Sequence, residues 1–321
     1  LYLGLGPAEV LSQMTTAFIF PGQGSQAVAM LAELAQQHPQ VEATYAEASA
    51  ALGYDLWALV QQGPESELNQ TARTQPAMLA AGVAVWRVWQ ANAGKLPARL
   101  AGHSLGEYTA LVCAEAISFS DAIALVAKRG ELMQQAVAEG EGAMAAILGL
   151  DDAIVRKVCA DAAQGEVVEA VNFNAPGQVV IAGGQAAVMR ATALAKEAGA
   201  KRAVLLPVSV PSHCALMRPA AQQLAVCLEQ VAFQVPRIPV VSNVDVVEYD
   251  SVTAIRDGLA RQLYQPVRWV EVIQSLTRTG VDSFVECGPG KVLAGLNKRI
   301  VPEARTFAVY DTATLTQALT A

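Results

Sequence analysis

Along most of the chain, short apolar runs of strand length alternate with longer segments whose apolar residues recur at helical spacing. From Met14, TAFIF predicts a strand ending at the turn Pro21-Gly22-Gln23-Gly24. Residues 41–51 and 76–92 predict helices, the second opening at Pro76 as a first-turn proline would. ARLAG predicts a strand that runs into Gly102-His103-Ser104-Leu105-Gly106, and GEYTALVCA continues as a helix. Ser120-Asp121 is the expected cap of the next helix, which sets Ile123, Val126, Gly130 and Met133 near one face.

The next segment has its own order. AMAAILGL predicts a strand and DDAIVRKVCADAAQ a helix. EVVEAVNFN and QVVIAGG predict strands about the turn Ala175-Pro176-Gly177. A helix over QAAVMRATALAKEAG and a strand over KRAVLLPVSV complete it. This βαββαβ succession is the ferredoxin-like arrangement, so residues 142–209 are expected to form a small domain inserted into a larger one made of 14–141 and 210–321. Beyond it, HCALMRPAAQQLAVCLEQV, 252–264 and KVLAGLNKRI predict helices, and IPVVSNV and VDSFVEC predict strands. Strand–helix alternation on both sides of the insert predicts an α/β fold with a mostly parallel sheet covered on both faces.

Composition narrows the class. The 321 residues are 53% hydrophobic and only 16% charged, enough apolar material for one large core and a small one. No run of about eighteen apolar residues calls for a membrane span. A net charge of -7 without a basic tract argues against nucleic acid. The five cysteines, odd in number and without C-x-x-C spacing, argue against a disulfide framework or a zinc site and fit a cytoplasmic location. Residues 1–13 lack the marks of a secretory signal and are expected to be an extension, from upstream or from cloning, ahead of a natural start at Met14.

Ser104 carries the candidate chemistry. A serine on a strand-to-helix turn, with glycine two positions before and two after, fits a nucleophile held in strained backbone. The following helix aims N–H groups at the site, which suits a developing oxyanion. A serine hydroxyl needs a base, and there are three histidines. His38 lies in a polar stretch before a proline, and His103, adjacent to Ser104, should point to the other side. That leaves His213, expected where a strand gives way to a helix whose N-terminus keeps the ring neutral. Asp121, Asp151, Asp152 and Asp161 lie between Ser104 and His213, and each reads as a helix start or exposed helix face. None supplies an obvious third member of a triad.

IFPGQGSQ, GHSLGEYTALVCA, KRGELMQ, NFNAPGQVVIAG, PVSVPSHCALM, RQLYQPVRW and GPGKVL occur in this order. Together these segments closely resemble the malonyl-CoA:acyl-carrier-protein transacylase family of bacterial dissociated fatty acid synthesis, from Met14 almost to the C-terminus. The resemblance implies an α/β-hydrolase-like large domain with a ferredoxin-like insert, Ser104 as nucleophile and His213 as base. It implies that the histidine's partner is the backbone carbonyl of Gln262, which would account for the missing acid. It further implies an oxyanion hole from the N–H groups of Gln23 and Leu105, and Arg129 as the cation that grips the free malonyl carboxylate. A guanidinium suits that task because it binds carboxylate as a bidentate fork. Asn172 and Asn174 are expected in a turn or at the domain interface, and GPGKVL in a structural turn.

The expected partners are malonyl-CoA and, transiently, acyl carrier protein, with no metal or organic cofactor and the chain a monomer. Docking an acidic carrier would need a local basic patch, for which Lys201-Arg202, Arg190, Lys196 and Lys298-Arg299 are candidates. Two rivals remain: a serine esterase or thioesterase on the same fold, and a non-catalytic carrier-binding module.

Overall fold

The computed structural model describes residues 15–208 and 210–321, so the expected extension at 1–13 and the start at Met14 lie outside the described residues. Two sheets organise the chain. The larger has five strands in the order β7-β2-β1-β8-β9, with β1 Thr16–Phe20, β2 Arg99–Gly102, β7 Val240–Val241, β8 Ser283–Cys287 and β9 Arg305–Val309. Every neighbouring pair in it is parallel.

Central β1 explains why its sequence is an unbroken apolar run. Phe18 and Phe20 enter one buried cluster, while Ala17 and Ile19 enter the cluster on the opposite face. A strand buried on both sides has no solvent face to keep polar. Phe18 meets Trp86 and Trp89 edge-on at 5.6 and 5.0 Å between ring centroids. The fold is thus mixed α/β around a parallel sheet, as expected.

The smaller sheet has four strands, all antiparallel, in the order β4-β5-β3-β6: β3 Gly142–Leu148, β4 Val168–Ala175, β5 Gln178–Gly184 and β6 Arg202–Leu205. Ala145, Ile147, Val179 and Ile181 on one face join a core with the helices Asp152–Ala163 and Gln185–Glu197. The other face, with Met144, Val171 and Val180, turns toward Cys214 and the cleft between the sheets. Val267 stitches the two parts together: its N–H donates to the Val171 carbonyl at 2.8 Å and its own carbonyl accepts from Phe173 N–H at 3.0 Å.

Several boundaries differ from expectation. Pro76 does not open its helix but lies inside Thr71–Ala91; the preceding turn persists because Thr71, Thr74 and Gln75 are buried there, so packing outweighs the hydrogen bond that proline cannot donate. The helix Phe119–Ala136 is capped by Ser118, whose hydroxyl accepts from Asp121 N–H, not by Ser120-Asp121. The last small-sheet strand stops at Leu205, two residues before Pro207, which cannot continue a ladder. The helix after His213 begins only at Arg218, behind a short 3-10 turn over Ala215–Met217. Asn172 and Asn174 lie on β4, not in a turn, but they do meet the larger part of the chain, Asn172 bridging to Val267 and Asn174 reaching His103. Helices Leu56–Gln62 and Trp269–Arg278, and edge strand β9, were not anticipated.

Candidate active site

The serine turn is built by exclusion of side chains. A Cβ on Gly102 would lie 1.9 Å from the backbone of Gly106, and one on Gly106 would lie 2.0 Å from the Phe20 carbonyl oxygen. Only glycine lets strand, turn and following helix approach so closely. Between them Ser104 adopts φ 51°, the left-handed region that a non-glycine residue enters at a cost. His213 is at φ 67°. Both strained residues meet: Ser104 Oγ is 2.8 Å from His213 Nε2 across 109 residues of sequence.

His213 Nδ1 then lies 2.7 Å from the Gln262 carbonyl oxygen, and its backbone N–H donates to the Leu263 carbonyl at 2.9 Å. A carbonyl can only accept, so Nδ1 carries the proton and Nε2 presents its lone pair to the serine. Burial pushes the imidazole down to about 3, and the nearby Arg129 charge pushes the same way. The ring is neutral for these reasons and not through a helix N-terminus, since His213 precedes its helix by an irregular segment.

Arg129 projects from Phe119–Ala136 and is 1% exposed. Its guanidinium donates to Gln75 Oε1 at 2.8 Å, Gln262 Oε1 at 3.0 Å and Ser104 Oγ at 3.4 Å, and it lies over the Tyr108 ring. All of these are neutral, Nε has no partner among the described residues, and no ion pair there includes it. The nearest carboxylate, Glu107, acts on it only through space, so no anion touches the guanidinium and a ligand carboxylate could complete its coordination.

Gln23 and Leu105 both line the same cavity of about 110 Å³ as Ser104, Arg129 and His213. Among the described residues neither backbone N–H donates to another protein group. Ser104 N–H, by contrast, is taken by Asn243 Oδ1 at 2.7 Å. Two N–H groups without a protein acceptor thus lie in the same cavity as the Ser104 hydroxyl. Met144, Val180, Leu206 and Val208 form the apolar wall opposite. Asn172 lines the same cavity, and its Oδ1 is buried without a partner among the described residues.

His103 turns away as expected: Nε2 is 2.8 Å from Asn174 Oδ1, and the ring packs on Trp269. Arg190 and Arg299 are engaged within the chain, the first with Glu166 and the second with Gln178 and Pro176, which leaves Lys196, Lys201, Arg202 and Lys298 as the freer exposed cations of the docking candidates. No cluster of three or more His, Cys, Asp or Glu among the described residues could hold a metal, and no described helix is long and apolar enough to cross a membrane. Sequence reasoning missed Gln75, Asn243 and Glu107. The third of these stood in plain view inside GEYTALVCA, as an acid one turn past the nucleophile.

An alcohol set against a neutral imidazole, beside a buried cation that no anion touches, is equipped to take and hold an acyl group that bears an anion. In keeping with that class, the acyl transferase domain model matches residues 17–316, and the chain belongs to that family. The malonyl CoA-acyl carrier protein transacylase of Salmonella typhimurium is 61% identical over 304 residues, spanning 95% of this chain and 98% of its own. The protein of the same name from Bacillus subtilis is 45% identical, spanning 94% and 96%. Among solved structures, an acyl carrier protein S-malonyltransferase from Vibrio cholerae superposes with a TM-score of 0.92 at 62% identity over 94% of this chain and 99% of that one. The malonyl-transacylase PlMCAT, in complex with the type II PKS acyl-carrier protein AntF, gives 0.94 at 60% identity over 95% and 99%.

Proposed function

We propose that this chain transfers the malonyl group from malonyl-CoA to the phosphopantetheine thiol of acyl carrier protein, through a malonyl ester on Ser104. His213 Nε2 takes the serine proton as Oγ attacks the thioester carbonyl. The N–H groups of Gln23 and Leu105 hold the oxyanion, and collapse expels the CoA sulfur, which receives the proton back from His213. In the second half the imidazole deprotonates the carrier thiol, the thiolate attacks the ester, and Ser104 leaves with that proton. The Gln262 carbonyl keeps the imidazole in the working tautomer throughout. Arg129 pairs with the malonyl carboxylate, which fixes the acyl group for the second attack.

The observation that carries this reading is the buried guanidinium of Arg129, 3.4 Å from Ser104 Oγ and held only by neutral groups. An esterase of simple acyl groups would have no use for it. The same reading takes 14–141 and 210–321 as an α/β-hydrolase-like catalytic domain and 142–209 as a ferredoxin-like insert, which the antiparallel order β4-β5-β3-β6 supports. The enzyme works as a cytoplasmic monomer that meets its carrier transiently.

Intact mass after incubation with malonyl-CoA should show one malonyl adduct, which addition of holo carrier protein discharges. Ser104→Ala should show none. An adduct on that variant removes the nucleophile assignment, and loss of the adduct to water as fast as to carrier thiol makes the protein a thioesterase.

A further inference from the structure

Glu107 is fully buried on the helix Gly106–Cys113 that follows the nucleophile, and it touches neither Ser104 Oγ nor His213. Three donors converge on its carboxyl group: Gln262 Nε2 at 2.7 Å, Asn243 N–H at 3.2 Å and the Tyr249 hydroxyl. Two of these belong to residues that hold the reacting groups. Asn243 accepts the Ser104 N–H and donates through Nδ2 to the Gly102 carbonyl at 2.6 Å, so it clamps both sides of the strained turn. Gln262 donates to the Ser104 carbonyl at 3.0 Å, accepts from Arg129 through its side chain and from His213 through its backbone.

We propose that Glu107 is the positioning residue of the site: its Oε2, by taking the Gln262 amide and the Asn243 N–H together, locks the serine turn, the base and the arginine into one rigid frame. The acid missing from the triad is thus present one step removed, behind the amide of Gln262. This rests on the acyl-transfer reading above and deepens it.

The geometry also says which property of Glu107 matters. Gln262 Nε2 and a backbone N–H can only donate, so Oε2 must accept whether the carboxyl is ionised or not. Burial pushes that group up to about 7 against the pull of its three hydrogen bonds and of Arg129. The frame needs an oxygen at this place rather than a full charge. Glutamine supplies one and can donate its amide to the Tyr249 oxygen; leucine, of similar size, supplies none.

The test is the rate of Ser104 malonylation by quenched-flow intact mass, with KM for malonyl-CoA, in the native chain, Glu107→Gln, Glu107→Leu and Tyr249→Phe. Glu107→Gln should stay within about fivefold of native. Glu107→Leu should lose about 100-fold in rate with KM nearly unchanged, the signature of misplaced reacting groups and not of lost substrate binding. Tyr249→Phe, which removes one donor and leaves the carboxyl, should slow malonylation about threefold and decides the matter if the leucine variant does not fold. A native rate in Glu107→Leu or Tyr249→Phe, an equal loss in Glu107→Gln, or a loss confined to KM overturns the positioning role while a normal adduct on the native chain leaves the acyl-transfer reading standing. No adduct on the native chain overturns both.

Discussion

The two sheets divide the work of this molecule unequally. Around the parallel sheet the polar groups are buried, mutually hydrogen-bonded and strained: Ser104 at positive φ, Gly102 and Gly106 in backbone contact, Arg129 sealed among amides. The antiparallel sheet offers the cleft mostly apolar side chains, Met144 and Val180, with Asn172 as its orphaned polar group. On the proposed function, one region would fix the reacting atoms and the other would give a surface along which the substrate arm lies. Substitutions on the first should therefore act on rate and those on the second on apparent affinity.

Four changes probe that contrast, beginning with the most severe. Gly102→Ala forces a Cβ into the backbone of Gly106 and should cost about 3 kcal/mol or more of stability, together with measurable malonylation, by denaturant titration and intact mass. A stable, active alanine variant would show that the turn is looser than its contacts imply. Arg129→Ala should erase about 100-fold of preference for malonyl-CoA over acetyl-CoA in kcat/KM, since the acetyl group has no carboxylate to pair; unchanged selectivity refutes the carboxylate role.

The third probe is pH. His213 must be neutral to accept the serine proton, and its pKa is held down first by burial and then by Arg129, with a smaller push from His103 and an opposing hydrogen bond to Gln262. The acid limb of kcat/KM should accordingly lie well below the ordinary imidazole value of about 6.5, with activity lost only as the medium becomes strongly acidic. Removing the Arg129 charge takes away a lowering influence, so the limb of Arg129→Ala should move to higher pH. An acid limb near 6.5 in the native enzyme would contradict a sealed base. Least disruptive is Asn172→Ala on the antiparallel sheet, which should raise KM for malonyl-CoA about threefold and leave kcat alone. A fall in kcat instead would put that sheet inside the chemistry and collapse the contrast.

Legibility in the sequence follows the same division. The serine turn was readable because its glycines lie within one five-residue stretch and are sterically compelled. His213 was found by elimination, although the reason for its neutrality lay in long-range burial that no local pattern shows. Arg129, Gln23, Leu105 and Gln262 entered through family resemblance; nothing in the spacing of a helical arginine tells whether it faces water or a sealed pocket. Gln75, Asn243 and Glu107 escaped because amides and a helical glutamate carry no periodic signal. Their task exists only once distant segments meet, as Gln75 and Arg129 do across 54 positions and Gln262 and Glu107 across 155. Pro76 misled for a related reason: the local rule for proline holds until tertiary burial of the preceding turn outweighs it.

The stitch through Val267, one residue bonded to two neighbours' positions on β4, has a mechanical consequence. Two backbone hydrogen bonds tie the small sheet's wall to the segment that runs into Trp269, so parting the cleft along this seam would have to break both. On the proposed function, the donor of the malonyl group, a nucleotide thioester, and its acceptor, a thiol arm on a protein, would then approach Ser104 through the same opening. Exchange between half-reactions would then be a matter of one slender tether withdrawing before the next threads in.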